Sequence, residues 1–389
     1  MDTALIPAAT PRSRCIRGFR TAFACAATFA AAAPTGAQNL QLYGTLDASV
    51  GSLRSGNGRI TGLSSGVMSA SQWGVRGSED LGGGLRASFT LESGLEVDTG
   101  ALKSFAGNPA TATPTLPNGV SATGFNRRST VGLASQRYGG LLVGRDYAPV
   151  FYAAGAVDAM NLGMWGNLQQ LLQLVGGSER WARASNAVFY TTPTWGSLTT
   201  RAFYSFGSEA GGGPGGLPRD ANRMVGASAI WQHDSLTLTV SHQRLQVAQT
   251  SGSPAAFTGA TITREDTLVG ARYTHGGYKV AGGYFKVGQP NSANAAWLGG
   301  SGQWGVHTVK AQVTHMRQDG PAGAARTGTA FGIGYVYALS KRTSLYSSYG
   351  RVGNGRTGTF GLAASDTSVA GSARGASVRA LSAGVRHIF

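Results

Sequence analysis

Arginine dominates the polar chemistry of this 389-residue chain, with 28 Arg against 5 Lys and a formal net charge of +16. Guanidinium stays charged at any physiological pH and presents several donors to carboxylate or phosphate, so anion recognition is the chemistry these residues suit. Motifs for catalysis or cofactor binding fail on context. Gly62-Leu63-Ser64-Ser65-Gly66 spells a nucleophile elbow, but residues 67–77 read as a strand where that motif needs a helix. Gly353-Asn354-Gly355-Arg356-Thr357-Gly358 spells a dinucleotide loop without the βα alternation such a site requires. Gly211-Gly212-Gly213-Pro214-Gly215-Gly216 lacks the Lys-Ser/Thr of a phosphate loop. The histidines, His233, His242, His275, His307, His315 and His387, show neither HExxH nor paired ligand spacing, so no metal and no cofactor is expected. A basic balance also suits nucleic acid or an anionic membrane surface. Nucleic acid is set aside because the arginines are spread singly rather than clustered on one helix.

The elements that would carry these arginines repeat every two residues. In residues 85–92, Leu85, Ala87, Phe89 and Leu91 alternate with Arg86, Ser88, Thr90 and Glu92, which gives a strand one apolar and one polar face. Similar strands are predicted at residues 40–51, 69–77, 127–135, 141–147, 183–192, 197–206, 222–233, 235–246, 264–275, 278–288, 295–301, 306–317, 329–339, 344–352 and 377–389. That makes 16, an even number, which puts both termini of a closed antiparallel barrel on one side. Connections alternate between short turns such as His275-Gly276-Gly277 and long Gly, Ala, Ser and Pro stretches such as residues 96–126 and 353–376, the asymmetry of an outer-membrane barrel. Tyr43, Trp73, Tyr138, Tyr147, Trp195, Trp231, Tyr273, Tyr278, Tyr337 and Tyr346 lie near predicted strand ends and are read as interfacial girdles.

Both ends of the chain agree. Arg12, Arg14, Arg17 and Arg20 precede a small apolar stretch and Thr35-Gly36-Ala37, the pattern of a secretory signal peptide over residues 1–37, cut before Gln38. That stretch is too short to stay as an anchor, since a spanning helix needs about 20 residues. Cleavage would remove both cysteines, Cys15 and Cys25. It would also remove four Arg and one Asp, lowering the charge by three to +13 on a barrel of residues 38–389. At the other end, Leu381, Ala383, Val385, His387 and Phe389 share one face, and Ser382, Gly384 and Arg386 the other. Such a strand, ending on a free aromatic, suits the last stave of an outer-membrane barrel, with Phe389 as its assembly signal.

Six stretches resemble the trimeric general porins of Gram-negative outer membranes, in particular the anion-selective branch from beta-proteobacteria. They are Leu42-Tyr43-Gly44 with Asp47; SQWGVRGSEDLGGGLRA from Ser71; GFNRRSTVGL from Gly124; Val143-Gly144-Arg145-Asp146; RASNAVFYTTP from Arg183; and GVRHIF from Gly384. The resemblance implies an all-β fold, a 16-stranded antiparallel transmembrane barrel whose third loop, residues 147–182, folds into the lumen. It implies a homotrimer in outer-membrane lipid and lipopolysaccharide, inserted by the assembly machinery and passing small hydrophilic solutes, anions favoured.

Strand parity puts Arg76 inward beside Gln72 and Gly74, because Trp73 and Val75 form the opposite set. By the resemblance, Arg76, Arg127 or Arg128, Arg145 and Arg183 would form the basic wall of the constriction. Parity favours Arg128, the family pattern favours Arg127, and both stand. Gln72 occupies a position where related porins commonly carry Arg. Asp158 and Glu179 are the acidic groups of the inserted loop, few enough to predict anion selectivity. An outer-membrane barrel enzyme finds no Ser or acid pair with His at a rim, while an adhesive or structural barrel is the alternative to a passive channel.

Overall fold

The computed structural model describes residues 39–103, 124–175, 181–208, 217–251, 256–289, 292–320 and 324–389. The predicted signal peptide lies outside them.

Sixteen antiparallel staves make one closed sheet. In chain order they are β1 Gln41–Ser55; β2, in two pieces, Gly58–Ser65 and Gln72–Gly82; β3 Leu85–Gly94; β4 Arg128–Ser135; β5 Gly139–Tyr147; β6 Arg183–Thr191; β7 Leu198–Ser205; and β8 Met224–His233. They continue as β9 Leu236–Ser251, β10 Ala256–His275, β11 Tyr278–Val287, β12 Ala293–Trp304, β13 His307–Gln318, β14 Arg326–Ala338, β15 Thr343–Asn354 and β16 Val378–Ile388. Each pairs with its chain neighbours, and β1 closes on β16 from Thr45 opposite Ile388 to Ser55 opposite Val378. The 16 predicted strands each find their stave. β1, β9 and β10 run further than the apolar alternation does, because they rise past it into the long loops.

The alternation also fixes which face is which. Leu42, Leu46 and Val50 of β1 are exposed, while Asp47 and Ser49 between them are buried. Exposed Val, Leu, Ile and aromatic side chains recur on every stave, among them Leu63, Val131, Leu141, Val240, Val280, Leu298, Ile333 and Leu381. So much contiguous apolar surface is untenable in water and is what the hydrocarbon band of a membrane barrel requires.

The closure joins the two ends of the sequence through a glycine. Phe389 and Gly44 exchange backbone N–H···O bonds of 3.0 Å each. A Cβ on Gly44 would stand 2.3 Å from Phe389 Cζ, so the absent side chain is the seat of the terminal ring.

Three of the expected girdle aromatics face inward instead. The Tyr43 hydroxyl donates to Glu92 Oε2 at 2.9 Å, the Tyr346 hydroxyl to Asp47 Oδ1 at 2.6 Å, and Tyr147 stacks on Phe151. Proximity to a strand end does not set the face; parity does. Tyr138, Trp195, Tyr273, Tyr278 and Tyr337 are exposed near the short turns, as girdle residues should be.

Candidate functional site

Beyond β5 the chain turns into the lumen. Helix α1, Pro149–Ala156, opens on Pro, whose missing N–H costs nothing in a first turn. After α1 the carboxylate of Asp158, 1% exposed, accepts N–H bonds from Met160 at 3.1 Å, Leu162 at 2.6 Å and Leu168 at 3.2 Å. That knot holds Asn161, Leu162 and Met164 at φ of 58°, 52° and 68°, left-handed values that side chains resist. Burial pushes the Asp158 carboxyl above its ordinary value against the pull of those donors.

The loop then crosses to the far wall. The Trp165 N–H donates to Ser348 Oγ and its indole Nε1 to Ser382 Oγ, both at 3.0 Å, and Gln312 Nε2 donates to the Gly166 carbonyl. A Cβ on Gly332 would lie 1.9 Å from the Trp165 carbonyl oxygen, so only glycine admits the loop there. Trp165, Trp181, Phe285, Met160, Leu168 and Leu171 pack between loop and wall. The molecule's apolar core is therefore inside the barrel, where simple alternation expects water.

The break in β2 is the other anchor. Met164 N–H reaches the Val67 carbonyl at 2.7 Å, and Asp47 holds the interruption open by accepting the Ser69 N–H at 2.7 Å. The long connection 355–377 also folds inward. Gln170, in the short 3-10 turn Leu168–Val175, donates to the Gly361 carbonyl at 2.6 Å and accepts the Ala363 N–H at 2.9 Å.

Together these loops bound a cavity of about 670 Å³ whose charged lining is Lys103, Arg127, Arg128 and Arg183 against Glu92 and Asp366, four cations to two carboxylates. Arg127 Nε meets Glu92 Oε1 at 2.9 Å, and its other arm lies 3.5 Å from Asp366 Oδ2. Arg128 forks onto Asp146 at 2.9 and 3.4 Å, and Arg201 takes the second oxygen of that fully buried carboxylate at 2.7 Å. Arg183 donates to the Tyr147 hydroxyl at 3.0 Å while its guanidinium lies 4.5 Å over that ring. Buried guanidinium requires such partners, since an unpaired buried charge is costly. On the short-turn side of the loop a second cavity, about 260 Å³, is lined by Lys279, Lys310 and Arg386. Lys310 Nζ donates to the Met160 carbonyl and Arg386 to Ser69 Oγ, both at 3.3 Å. No ion pair of these three occurs among the described residues.

A family model for Gram-negative porins matches residues 21–357. The chain belongs to the Gram-negative porin family. It is 29% identical over 385 residues to the outer membrane porin protein 32 of Delftia acidovorans, covering 95% of this chain and 99% of that one. An outer membrane porin of Bordetella pertussis is 26% identical over 332 residues, 74% of this chain and 77% of the relative. Among solved structures, the anion-selective porin from Comamonas acidovorans superposes with a TM-score of 0.74 at 26% identity, covering 91% of this chain and all of the other. The trimer form of the Vibrio cholerae outer membrane protein OmpT, at a TM-score of 0.64 and 17% identity, covers 91% of this chain and all of its own and shares the fold. The protein is thus an outer-membrane porin, a channel-forming barrel of the Gram-negative cell surface.

Within the porin, the expected constriction residues divide. Gln72, Arg127, Arg128 and Arg183 all line the larger cavity, so the alternative between Arg127 and Arg128 dissolves: Arg127 lies just before β4 and turns inward, and Arg128 points inward by parity. Arg76 is inward-facing but outside that cavity, bonded to Gln41 Oε1 at 2.9 and 2.7 Å and stacked over Tyr43. Arg145 is not in the lining. A register shift between Gly144 and Asp146 turns it to the Asn126 carbonyl and Ser185 Oγ, both at 2.6 Å. Asp158 spends its carboxylate on its own loop, and Glu179 lies outside the described residues. The acidic groups at the cavity are Glu92 and Asp366, which the sequence reading did not single out. Parity offered Glu92, opposite Leu91 in β3. Nothing local marks Asp366, because the fold-back of its loop places it.

Proposed function

We propose that this porin is a passive, anion-preferring channel for small hydrophilic solutes, narrowed by the inward loop and carrying no catalytic chemistry. The observation that carries this reading is the charge balance of the lining: four cations against two carboxylates above the loop, and beneath it Lys279, Lys310 and Arg386, which make no ion pair among the described residues. Fixed charge in a constriction sets the free energy of a passing ion, and a cationic surplus favours anions. Likeness to an anion-selective porin supports the same reading. Ion-substitution recordings in a planar bilayer test it, and a preference for potassium over chloride would defeat it.

The same proposal includes a cleaved signal peptide over residues 1–37, homotrimeric assembly and insertion guided by Phe389. Native mass spectrometry of the extracted protein should give the mass of a trimer of chains starting at Gln38. Removal of Phe389, or Gly44→Val, which displaces its ring, should lower insertion while leaving the selectivity of inserted channels unchanged. Normal insertion of both variants would refute the role of the terminal residue.

A further inference from the structure

The cavity above the loop has two unlike sides. Its cations, Arg127, Arg128, Arg183 and Lys103, come from the wall and the connection after β3, and among the described residues the loop adds no charged side chain to the lining. Asp158, the loop acid that could have faced the basic wall, is spent on its own N–H knot. What the loop presents instead is apolar, because of how α1 lies. Val150, Ala153 and Ala154 on one face of that helix are fully buried, while Phe151, Tyr152 and Gly155 on the other stay half-buried along the cavity. Leu162 and Leu172, also half-buried, extend this floor. Tyr147 stacks on Phe151 at 4.5 Å and 15° and meets Tyr152 edge-on at 5.9 Å, so the rings form one aromatic surface.

Opposite the floor, Arg128 is braced and has an arm to spare. Its Nε and Nη2 hold Asp146 at 2.9 and 3.4 Å, and Arg201 takes the same carboxylate at 2.7 Å, so two guanidinium charges share one negative charge. The Arg128 side chain is 27% exposed, and among the described residues its Nη1 makes no hydrogen bond. A guanidinium fixed on one edge presents the free donor in a set direction, which a carboxylate oxygen can accept.

We propose that this cavity is a binding subsite for small aromatic carboxylates, with the carboxylate at Arg128 Nη1 and the ring against Phe151, Tyr152 and Leu162. The inference deepens the reading of an anion-preferring channel and rests on it. A small inorganic anion gains from the cations alone and leaves the apolar floor wet. An aromatic acid also removes that floor from water and adds ring-to-ring and guanidinium-to-ring contact. Occupancy of this kind is compatible with transport as long as the acid can leave again.

The test compares potassium benzoate, cyclohexanecarboxylate and acetate as blockers of the KCl current through the purified porin in a planar bilayer. All three carry one negative charge and differ in the body attached to it. Benzoate should halve the current at a concentration about tenfold below acetate, since burial of the ring and aromatic contact add to the shared charge, and cyclohexanecarboxylate should fall between them. Equal block by benzoate and acetate would overturn the proposal, and equal block by benzoate and cyclohexanecarboxylate would overturn the aromatic class. These comparisons need only the parent protein. In the variant Phe151→Leu, Tyr152→Leu, scored on stepwise channels and hence on assembled protein, the ratio of benzoate to acetate block should approach one. Arg128→Gln should weaken block by both acids. A ratio left unchanged by the first variant, or block left unchanged by the second, would also count against the subsite. A reversal potential of the potassium sign in KCl alone defeats the channel reading itself, whereas the chloride sign with equal block by benzoate and acetate defeats only the subsite.

Discussion

Arginine does two kinds of work in this barrel, and the contrast between the lumen and the outer rim shows why. Arg127 and Arg183 in the lumen are almost fully buried, and Arg127, Arg128 and Arg201 are pinned to Glu92 or Asp146 while Arg183 is pinned to Tyr147. Arg54, Arg59, Arg351 and Arg379, opposite one another on neighbouring staves at the outer rim, are exposed and have no ion pair among the described residues. Burial makes the difference. A guanidinium taken out of water must replace its hydration with carboxylate or phenol oxygens, so the lumenal arginines are fixed in shape and direction. An exposed one keeps its water and needs no such partner.

Breaking the scaffold that buries the lumenal set should have the largest effect. Asp158→Ala leaves three N–H groups without their acceptor, and for the buried pair, Met160 and Leu168, the cost is about 1–3 kcal/mol each. The inward loop should loosen, lowering heat stability of the folded barrel in a gel or scanning assay and raising single-channel conductance. Asp158→Asn, which keeps one acceptor oxygen, should fall between. Unchanged conductance in the Ala variant would show that the loop is held by its wall contacts alone.

Making a lumenal arginine resemble a rim arginine comes next. Asp366→Asn keeps the shape of the fold-back but removes the carboxylate beside Arg127 and Lys103. Chloride-over-potassium permeability should rise, by roughly twofold, as one fixed charge in a constriction is worth on the order of 1 kcal/mol or less in water-filled surroundings. Selectivity that stays fixed would mean that ions do not sample that side of the cavity.

The two faces were equally legible in the sequence, because a period of two sorts residues inward or outward without any knowledge of partners. Parity placed Arg76, Arg128 and Arg386 inward and the lipid face of β16 outward. What it missed depends on chain reversals. Arg127 lies before its strand, a register shift diverts Arg145, and Asp366 arrives on a loop that folds back across the barrel. Asp158 looked like a pore carboxylate because it is one of the two acids of the inserted loop. Its residue type cannot disclose that three N–H groups of the same loop claim it. The inner apolar core was hidden for a similar reason. Gly332 reads as a weak strand residue until Trp165 is seen against it.

A smaller effect is expected from Gln72→Arg, which adds a guanidinium to the cavity lining at the edge of β2. Anion preference should increase without loss of folding, read from reversal potentials, and a decrease would place Gln72 away from the ion path. The smallest belongs to the rim. Glu265→Gln unpairs Arg244 at an exposed site, where such ion pairs contribute about 0–1 kcal/mol. Thermal unfolding should scarcely move, and a large drop would erase the distinction between buried and exposed arginine.

The central claim is that unbalanced lumenal cations set the preference of the channel. Its most direct test is the zero-current potential of the purified porin in a steep KCl gradient across a planar bilayer. The expected sign is that of chloride, reduced toward zero in Lys279→Gln, Lys310→Gln, Arg386→Gln. A potential of the potassium sign in the parent would contradict the account.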